Sequence, residues 1–312
     1  MPSVNDATSS LPHDLLWPRA SAWLGSVVDE IPRGGVDLLL VGVPTWRTSI
    51  SPSGAAQTPA AVRAALSRYS LSGHGRDLDA LRIADLGDID EPDGESGEAR
   101  VRSTIEGART RASLIVALGG DNSATYAVAQ GSFGTSVATA GLVTLDAHHD
   151  VRDGISNGSP VRRLIESGLN GVHVAQVGIS DFANSPDYSQ RVRDYGITVI
   201  SRADVGRRGV EVALREALDI AARAGGPVHV DIDVDVCDRS VAPGCPASAP
   251  GGLSADELRR AAYAIGCDPR VVSVDITEVD ATADAADGRT VRLAALCVLE
   301  LAAGLSTRLH PV

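Results

Sequence analysis

The chain has 312 residues, of which 44% are hydrophobic, so it is long enough for one large α/β domain with a substantial core. Its net charge is −12 at pH 7 and it has no block of basic residues, which excludes nucleic acid as an expected partner. Its apolar runs are too short for membrane spans, and its polar N-terminus shows no signal peptide. Four cysteines without a CxxC pair favour reduced thiols, so we expect a cytoplasmic protein.

Short apolar runs alternate with helical patterns along most of the chain. Residues 1–11 predict a flexible polar tail, and residues 12–312 predict a single domain. Strands are predicted at 36–43, 82–87, 113–120, 138–150, 172–179, 197–201, 227–236 and 271–280. Helices are predicted at 59–69, 98–112, 123–132, 211–225 and 254–266. This alternation indicates a parallel sheet with right-handed crossovers, covered by helices on both faces.

Four of the apolar runs end in polar clusters. These are GGDNS (119–123), DAHHD (146–150), DIDVDVCD (231–238) and DITEVD (275–280). In an open parallel sheet, ligands bind beyond the carboxyl ends of the strands. A single Asp after a strand is as often a helix cap or a turn residue, so one cluster alone is weak evidence. Four clusters together favour one shared crevice.

Closely packed carboxylates cannot all stay ionised without a cation. Imidazoles beside them favour a metal, and Asp/His ligation without Cys indicates Mn²⁺ or a similar divalent ion. The number of carboxylates favours two ions about 3.5–4 Å apart that share bridging Asp side chains. If the strand stays extended, alternation places Asp146, His148 and Asp150 on one face. His149 then lies on the other face, where packing or hydrogen bonding is expected.

The four clusters, in this order and spacing, resemble the signature of the ureohydrolase family of arginases, agmatinases and formimidoylglutamases. That signature reads GGDHS, DAHxD, DxDxxD followed by APG, and a late Glu, and the resemblance covers roughly residues 36 to 305. It implies an α/β fold: a single three-layer domain with a central, mostly parallel sheet of about eight strands, arginase-like. It also implies a small-molecule substrate and a homo-oligomer, a trimer or a hexamer.

The resemblance also implies the metal ligands. Counting back from Ala242-Pro243-Gly244 without gaps places the family's second ligand pair on Asp233 and Asp235 and leaves Asp231 out. The implied ligands of two Mn²⁺ ions are Asn122, Asp146, His148, Asp150, Asp233 and Asp235.

Individual roles follow from the same resemblance. Asp146 and Asp233 are expected to bridge the ions, Asp150 to bind the first, and His148 and Asp235 to bind the second. Asp150 is also the expected catalytic proton carrier, and Glu278 is expected to anchor the cationic, amidine-like part of the substrate.

Two departures from the family pattern stand out. Asn122 occupies the position of the His in GGDHS, and an amide oxygen is a weaker ligand than imidazole, so the first ion is expected to bind less tightly. The segment around Asn157 also lacks the His that arginases and agmatinases carry near this point.

The loop sequences resemble formimidoylglutamases more than agmatinases. Expected substrate-binding residues are Arg47, Arg152, Asn157, Ser159 and Arg162, because Arg suits bidentate binding of carboxylates. The expected reaction is hydrolysis of N-formimidoyl-L-glutamate to L-glutamate and formamide. Two alternatives stay open: a guanidino-compound hydrolase of the agmatinase or guanidinobutyrase type that releases urea, and a metal-poor relative that binds without turnover.

Overall fold

The computed structural model describes residues 14–311, so the predicted tail at 1–11 lies outside the described residues. The strands are β1 (Val36–Val43), β2 (Ser72–Gly73), β3 (Arg76–Asp77), β4 (Ile83–Asp88), β5 (Ala112–Gly119), β6 (Gly141–Leu145), β7 (Val174–Ile179), β8 (Thr198–Ser201), β9 (Val228–Asp233) and β10 (Val271–Thr277). The helices are α1 (Ala20–Leu24), α2 (Thr58–Ala65), α3 (Gly94–Ala108), α4 (Ala124–Phe133), α5 (Pro160–Glu166), α6 (Pro186–Tyr195), α7 (Arg202–Arg208), α8 (Val210–Ala221), α9 (Ala255–Cys267) and α10 (Arg289–Leu309).

Eight of these strands form one parallel sheet in the order β4-β1-β5-β10-β9-β6-β7-β8. The expected α/β fold with a parallel sheet of about eight strands is therefore confirmed. The four strands that precede the polar clusters are β5, β10, β9 and β6, which are adjacent at the centre of the sheet. Since parallel strands end at the same edge, this order brings all four clusters together.

Apolar side chains cover both faces of the sheet. Leu38 and Leu40 of β1 pack into one hydrophobic cluster, and Leu39 and Val41 pack into another on the opposite face. All four are fully buried. Strand alternation with an apolar residue at every position requires cover on both sides, and this produces the three layers.

The final helix departs from the sequence analysis. In the described part of the chain, α10 is long and apolar enough to cross a membrane, although 83% of its apolar window is buried inside the protein. Arg292 and Glu300 interrupt its apolar residues, so it contains no uninterrupted apolar run of that length. α10 carries the buried Glu300, whose carboxylate accepts hydrogen bonds from Arg259 at 2.7 and 2.9 Å. A helix surrounded by protein is apolar on nearly all sides, which removes the periodicity that predicts a helix.

Candidate metal centre and active site

The DAHHD segment leaves the sheet earlier than predicted. β6 ends at Leu145, and Asp150 lies in the left-handed region with φ 53°. The backbone N–H of His148 donates to Oδ1 of Asp146 at 2.5 Å, and that of Ala147 donates to Oδ1 of Asp235 at 3.0 Å. The predicted extended strand through residue 150 is therefore wrong, because side-chain carboxylates replace the neighbouring strand as acceptors.

His149 turns away from its neighbours. Its Nδ1 lies 2.7 Å from Oε1 of Gln176 in β7, and the Gln176 amide donates back to the His149 carbonyl at 2.9 Å. The expected hydrogen-bonding role of His149 agrees with this placement.

The DIDVDVCD segment also ends its strand early. β9 stops at Asp233, and a short 3₁₀ turn (Val234–Val236) follows, in which Oδ1 of Asp233 accepts from the N–H of Asp235 at 2.8 Å. Asp231 lies deeper in the strand, in register with Asp275 of β10. Strand alternation would place Asp231, Asp233 and Asp235 on one face, but the strand ends at Asp233 and Asp235 leaves that row.

Among the described residues, two groups of side chains present ligand atoms within 4.8 Å of one another. The first contains Asp146, Asp150 and Asp233, and the second contains Asp146, His148 and Asp235. Asp146 belongs to both groups, so the geometry offers two adjoining cation sites with a shared carboxylate. We call them the first and the second half-site.

The charges of this cluster fit divalent cations. Oδ2 of Asp146 is buried and has no hydrogen-bond partner within residues 14–311. Burial, reinforced by neighbouring carboxylates, raises the pKa of Asp146 and Asp233 well above the ordinary value. Burial likewise raises the pKa of Asp150 to about 7. Carboxylates in this state need a positive charge, and hard oxygen donors with one imidazole match Mn²⁺ or a similar ion.

His148 and Asp235 form a close pair. Nδ1 of His148 lies 2.6 Å from Oδ2 of Asp235. Burial opposes the charged form of His148, yet the hydrogen bond and charge of Asp235 outweigh it and raise the pKa of His148 to about 9. Burial would raise the pKa of Asp235, but its contact with His148 lowers that pKa below the ordinary value.

Asn122 points its amide nitrogen at the first half-site. Nδ2 donates to Oδ2 of Asp150 at 2.6 Å. Oδ1 accepts from the hydroxyls of Thr125 at 2.6 Å and Thr277 at 3.0 Å. Only the amide oxygen can bind a metal ion, so ligation by Asn122 requires the amide to turn over and exchange these partners.

Glu278 is held at the floor of the site. It is a buried residue with φ 62°, a conformation that costs about 1–3 kcal/mol in a residue other than glycine. Oε1 accepts from the backbone N–H of Asn122 and from Nδ2 of Asn157, each at 2.8 Å. Burial raises the pKa of Glu278 to about 8.

A cavity of about 220 Å³ opens above these groups. Its floor contains His148, Asp150, Asp233, Asp235 and Glu278. Its walls include Ser49, Arg152, Asn157, Asn184 and Tyr188. A larger cavity of about 430 Å³ lies beside α3 and α4 but contains no member of either half-site, so we place the active site in the smaller one.

Two of the predicted substrate-binding residues line this cavity, Arg152 and Asn157. Nδ2 of Asn157 is bound to Glu278, and Oδ1 of Asn157 accepts from the N–H of Ile50 at 3.0 Å. Arg152 has no salt bridge within residues 14–311, and its charge lowers the pKa of Asp150 against the larger effect of burial. Arg152 is thus the one arginine among the residues that line the cavity.

The other three predicted substrate-binding residues do not line it. Arg47 is half exposed and lies 3.8 Å from Glu91. The Ser159 hydroxyl donates to the carbonyl of Ser156 at 2.8 Å. Their roles remain predictions.

Arg162 binds its own loop. Its guanidinium donates to the carbonyl of Arg152 at 2.6 Å, to the carbonyl of Gly154 and to Glu166 at 2.5 Å. These bonds shape the loop that carries Arg152, and a direct role for Arg162 in substrate binding likewise remains a prediction.

Sequence reasoning missed Asn184, which lies between β7 and α6 and lines the cavity. Its side chain makes hydrogen bonds on both sides of His148, described below. The only sequence signal was an Asn before Ser-Pro, which reads equally well as a loop before a helix start.

The chain matches the model of the Arginase family over residues 36–304. A formimidoylglutamase of Halalkalibacterium halodurans is 36% identical over 278 residues, which cover 85% of this chain and 86% of the relative. A guanidinopropionase of Pseudomonas aeruginosa is 30% identical over 285 residues, which cover 86% and 88%.

Solved structures agree with these relatives. The crystal structure of formimidoylglutamase from Bacillus subtilis superposes with a TM-score of 0.87 at 32% identity and covers 97% of this chain and 96% of that one. A Trypanosoma cruzi formiminoglutamase solved with Mn²⁺, 24% identical, shares the fold with a TM-score of 0.85 over 94% of this chain and 99% of that one. Since sequence and fold agree across nearly the whole domain, the chain belongs to the Arginase family.

Proposed function

We propose that this protein hydrolyses N-formimidoyl-L-glutamate to L-glutamate and formamide, using two Mn²⁺ ions held by the two half-sites. The observation that carries the proposal is the charge arrangement of the small cavity, with an acidic floor that includes Glu278 and the cation of Arg152 beside it. The substrate has matching charges, since its formimidoyl group is cationic and its α-carboxylate is attached to the carbon that bears the reacting nitrogen.

The ions would be held by the six side chains that the family resemblance implies, except that Asn122 faces the first half-site with its amide nitrogen. Two bound Mn²⁺ ions would lower the pKa of a water molecule that could attack the formimidoyl carbon. The water oxygen becomes bonded to that carbon, the carbon–nitrogen bond to glutamate breaks, and a proton passes to the leaving amine. We assign this proton transfer to Asp150, which lies on the cavity floor.

Glu278 and Arg152 orient the substrate. Glu278 is fixed by two donors, which leaves its second oxygen, Oε2, to accept from the cationic formimidoyl nitrogen. The side chain of Arg152 lies against Gly158, where an added Cβ would come within 2.7 Å of Cδ of Arg152. A glycine at this position therefore makes the room in which Arg152 reaches the cavity.

The cytoplasmic location and the trimeric or hexameric assembly belong to the same proposal. Free thiols support the first, since none of the four cysteines forms a disulfide and three are buried. Light scattering of the purified protein tests the second.

A substrate panel tests the reaction. We expect the Mn²⁺-loaded protein to release glutamate from formimidoylglutamate much faster than it releases urea from guanidinobutyrate, guanidinopropionate, agmatine or arginine. Preferential urea release would support the guanidino alternative, since a guanidinopropionase is 30% identical to this chain. No turnover of any compound by the metal-loaded protein would favour the non-catalytic alternative.

A pair of arginine variants tests how the carboxylate is held. Arg152→Ala should lower kcat/KM for formimidoylglutamate roughly 10- to 150-fold. This corresponds to the loss of about 1.5–3 kcal/mol for one charged hydrogen bond. Arg47→Ala is the matched control, since Arg47 lies outside the cavity lining. A large loss for Arg47→Ala with none for Arg152→Ala would reverse the assignment.

A further inference from the structure

The segment that carries His148 has no regular secondary structure, and one backbone N–H, that of Ser180, donates to the carbonyl of Ala147 at 3.1 Å, so side chains must supply much of the support for its path. A single amide holds the backbone on both sides of this residue. Nδ2 of Asn184 donates to the carbonyl of Ala147 at 3.0 Å, and the N–H of His149 donates to Oδ1 of Asn184 at 2.9 Å. Asn184 thus spans the residues that precede and follow His148.

Asn184 is itself anchored by α6. The next residue, Ser185, caps this helix by accepting from the N–H of Tyr188 at 3.1 Å. Farther along the same helix, Arg191 donates to the carbonyl of Val151 at 2.7 Å. α6 and the residues just before it therefore contact the loop that carries His148 at two points, Asn184 before Asp150 and Arg191 after it.

His148 needs such support because burial alone does not hold it. Its side chain is 27% exposed, and among the described residues its ring has one hydrogen-bond partner, Asp235 at 2.6 Å, with Asp146 farther away at 3.5 Å. Partners that orient a metal-binding imidazole commonly govern metal affinity. From this geometry we propose that Asn184 is a positioning residue of the second half-site, which sets the metal affinity of His148 by clasping the backbone of Ala147 and His149.

The inference rests on the two-ion centre of the proposed function. Its separate claim is that Asn184 affects the affinity of the second half-site through His148. Asn184 also lines the cavity, so direct contact with the substrate is the competing explanation. The two explanations, support of His148 and contact with the substrate, predict different effects of a substitution at Asn184. A residue that acts through His148 changes the binding of one metal ion, whereas a residue that only contacts substrate changes KM and leaves metal binding unaltered.

The test is a calorimetric titration of metal-free protein with Mn²⁺. We expect Asn184→Ala to weaken one of the two sites by about 10- to 100-fold and to leave the other unchanged. In a His148→Ala background the same substitution should cost nothing more, because the ligand through which it acts is already gone. Asn170→Ala is the matched control, since its side chain also accepts a backbone N–H, that of Val172 at 3.2 Å, but lies outside the cavity lining.

Each other outcome contradicts the inference. Unchanged Mn²⁺ binding with a raised KM would assign Asn184 to the substrate, and an equal loss in the His148→Ala background would show that it does not act through His148. A wild-type protein that binds no Mn²⁺ would overturn the proposed function together with this inference. If Asn184→Ala melts below the assay temperature, Asn184→Leu carries the same test, since it keeps the side-chain volume, adds no charge beside the metal centre and loses both hydrogen bonds.

Discussion

The two half-sites share Asp146 but hold their other groups in different ways. In the second, an imidazole contacts a carboxylate at 2.6 Å, and both residues are placed where they could hold a metal ion. In the first, the amide nitrogen of Asn122 donates to Asp150, also at 2.6 Å, and an N–H group cannot bind a cation. The contrast shows that a side chain can satisfy a buried carboxylate in two ways, as a further candidate ligand or as a hydrogen-bond donor that does not itself bind the ion.

The largest expected effect comes from the residue that the half-sites share. Asp146→Ala should abolish binding of both Mn²⁺ ions and all hydrolysis, because each half-site loses an oxygen. Elemental analysis after Mn²⁺ loading and dialysis measures this, and two retained ions would refute the shared role. Asp233→Ala should remove the first ion, and loss of the second as well would demonstrate the bridging role that the family resemblance implies.

The second half-site should release a proton when it binds metal. The pKa of His148 is raised to about 9, so the metal-free protein carries a proton on this imidazole at pH 7, which Mn²⁺ must displace. Affinity should therefore rise as the pH increases from 7 towards 9. Titrations in buffers of different ionisation enthalpy count the released protons. The His148→Ala variant should release about one proton fewer when it binds Mn²⁺. An unchanged number of released protons would show that the ion does not bind this imidazole.

A smaller change should come from restoring a nitrogen donor to the first half-site. Asn122→His should tighten that site by about tenfold, or 1.4 kcal/mol, because imidazole is a better ligand than an amide. Turnover need not rise, since Thr125 and Thr277 surround the amide closely. Calorimetry of the two proteins measures the difference. Two equal and tight sites in the wild type, unaffected by the substitution, would remove the contrast between the half-sites.

The smallest effect on metal is expected at Asp231. Its Oδ2 is buried without a partner in the described part of the chain, and burial raises its pKa well above the ordinary value. Because the pKa of Asp231 is higher in the folded than in the unfolded chain, this group makes the fold less stable at pH 7 than in acid. Below about pH 3.9 both states keep the proton and this destabilisation vanishes. Asp231→Asn should leave the Mn²⁺ content unchanged and raise the free energy of unfolding at pH 7 by about 1–3 kcal/mol. Loss of metal in this variant would mean that the ligand register is shifted by two residues.

Strand interiors were predictable, and strand ends were not. The apolar run of β1 was located from sequence at 36–43, as observed, because burial on both faces demands apolar residues throughout. The runs that continue into Asp146 and Asp235 were extended too far. There, side-chain carboxylates accept the backbone N–H groups that a neighbouring strand would otherwise bind, and residue type alone does not reveal this exchange.

The sequence by itself determined the parallel α/β fold, the family, and the polar clusters that follow particular strands, because these depend on local periodicity and on motifs of a few residues. The tertiary structure decided which side chains meet. Contacts between distant segments determine three features of the site. They orient the amide of Asn122, they place Arg152 but not Arg47 in the cavity lining, and they bring Asn184 against the backbone beside His148. The bond between Asn122 and Glu278 joins residues 156 positions apart, a distance over which only the strand order of the sheet determines the geometry.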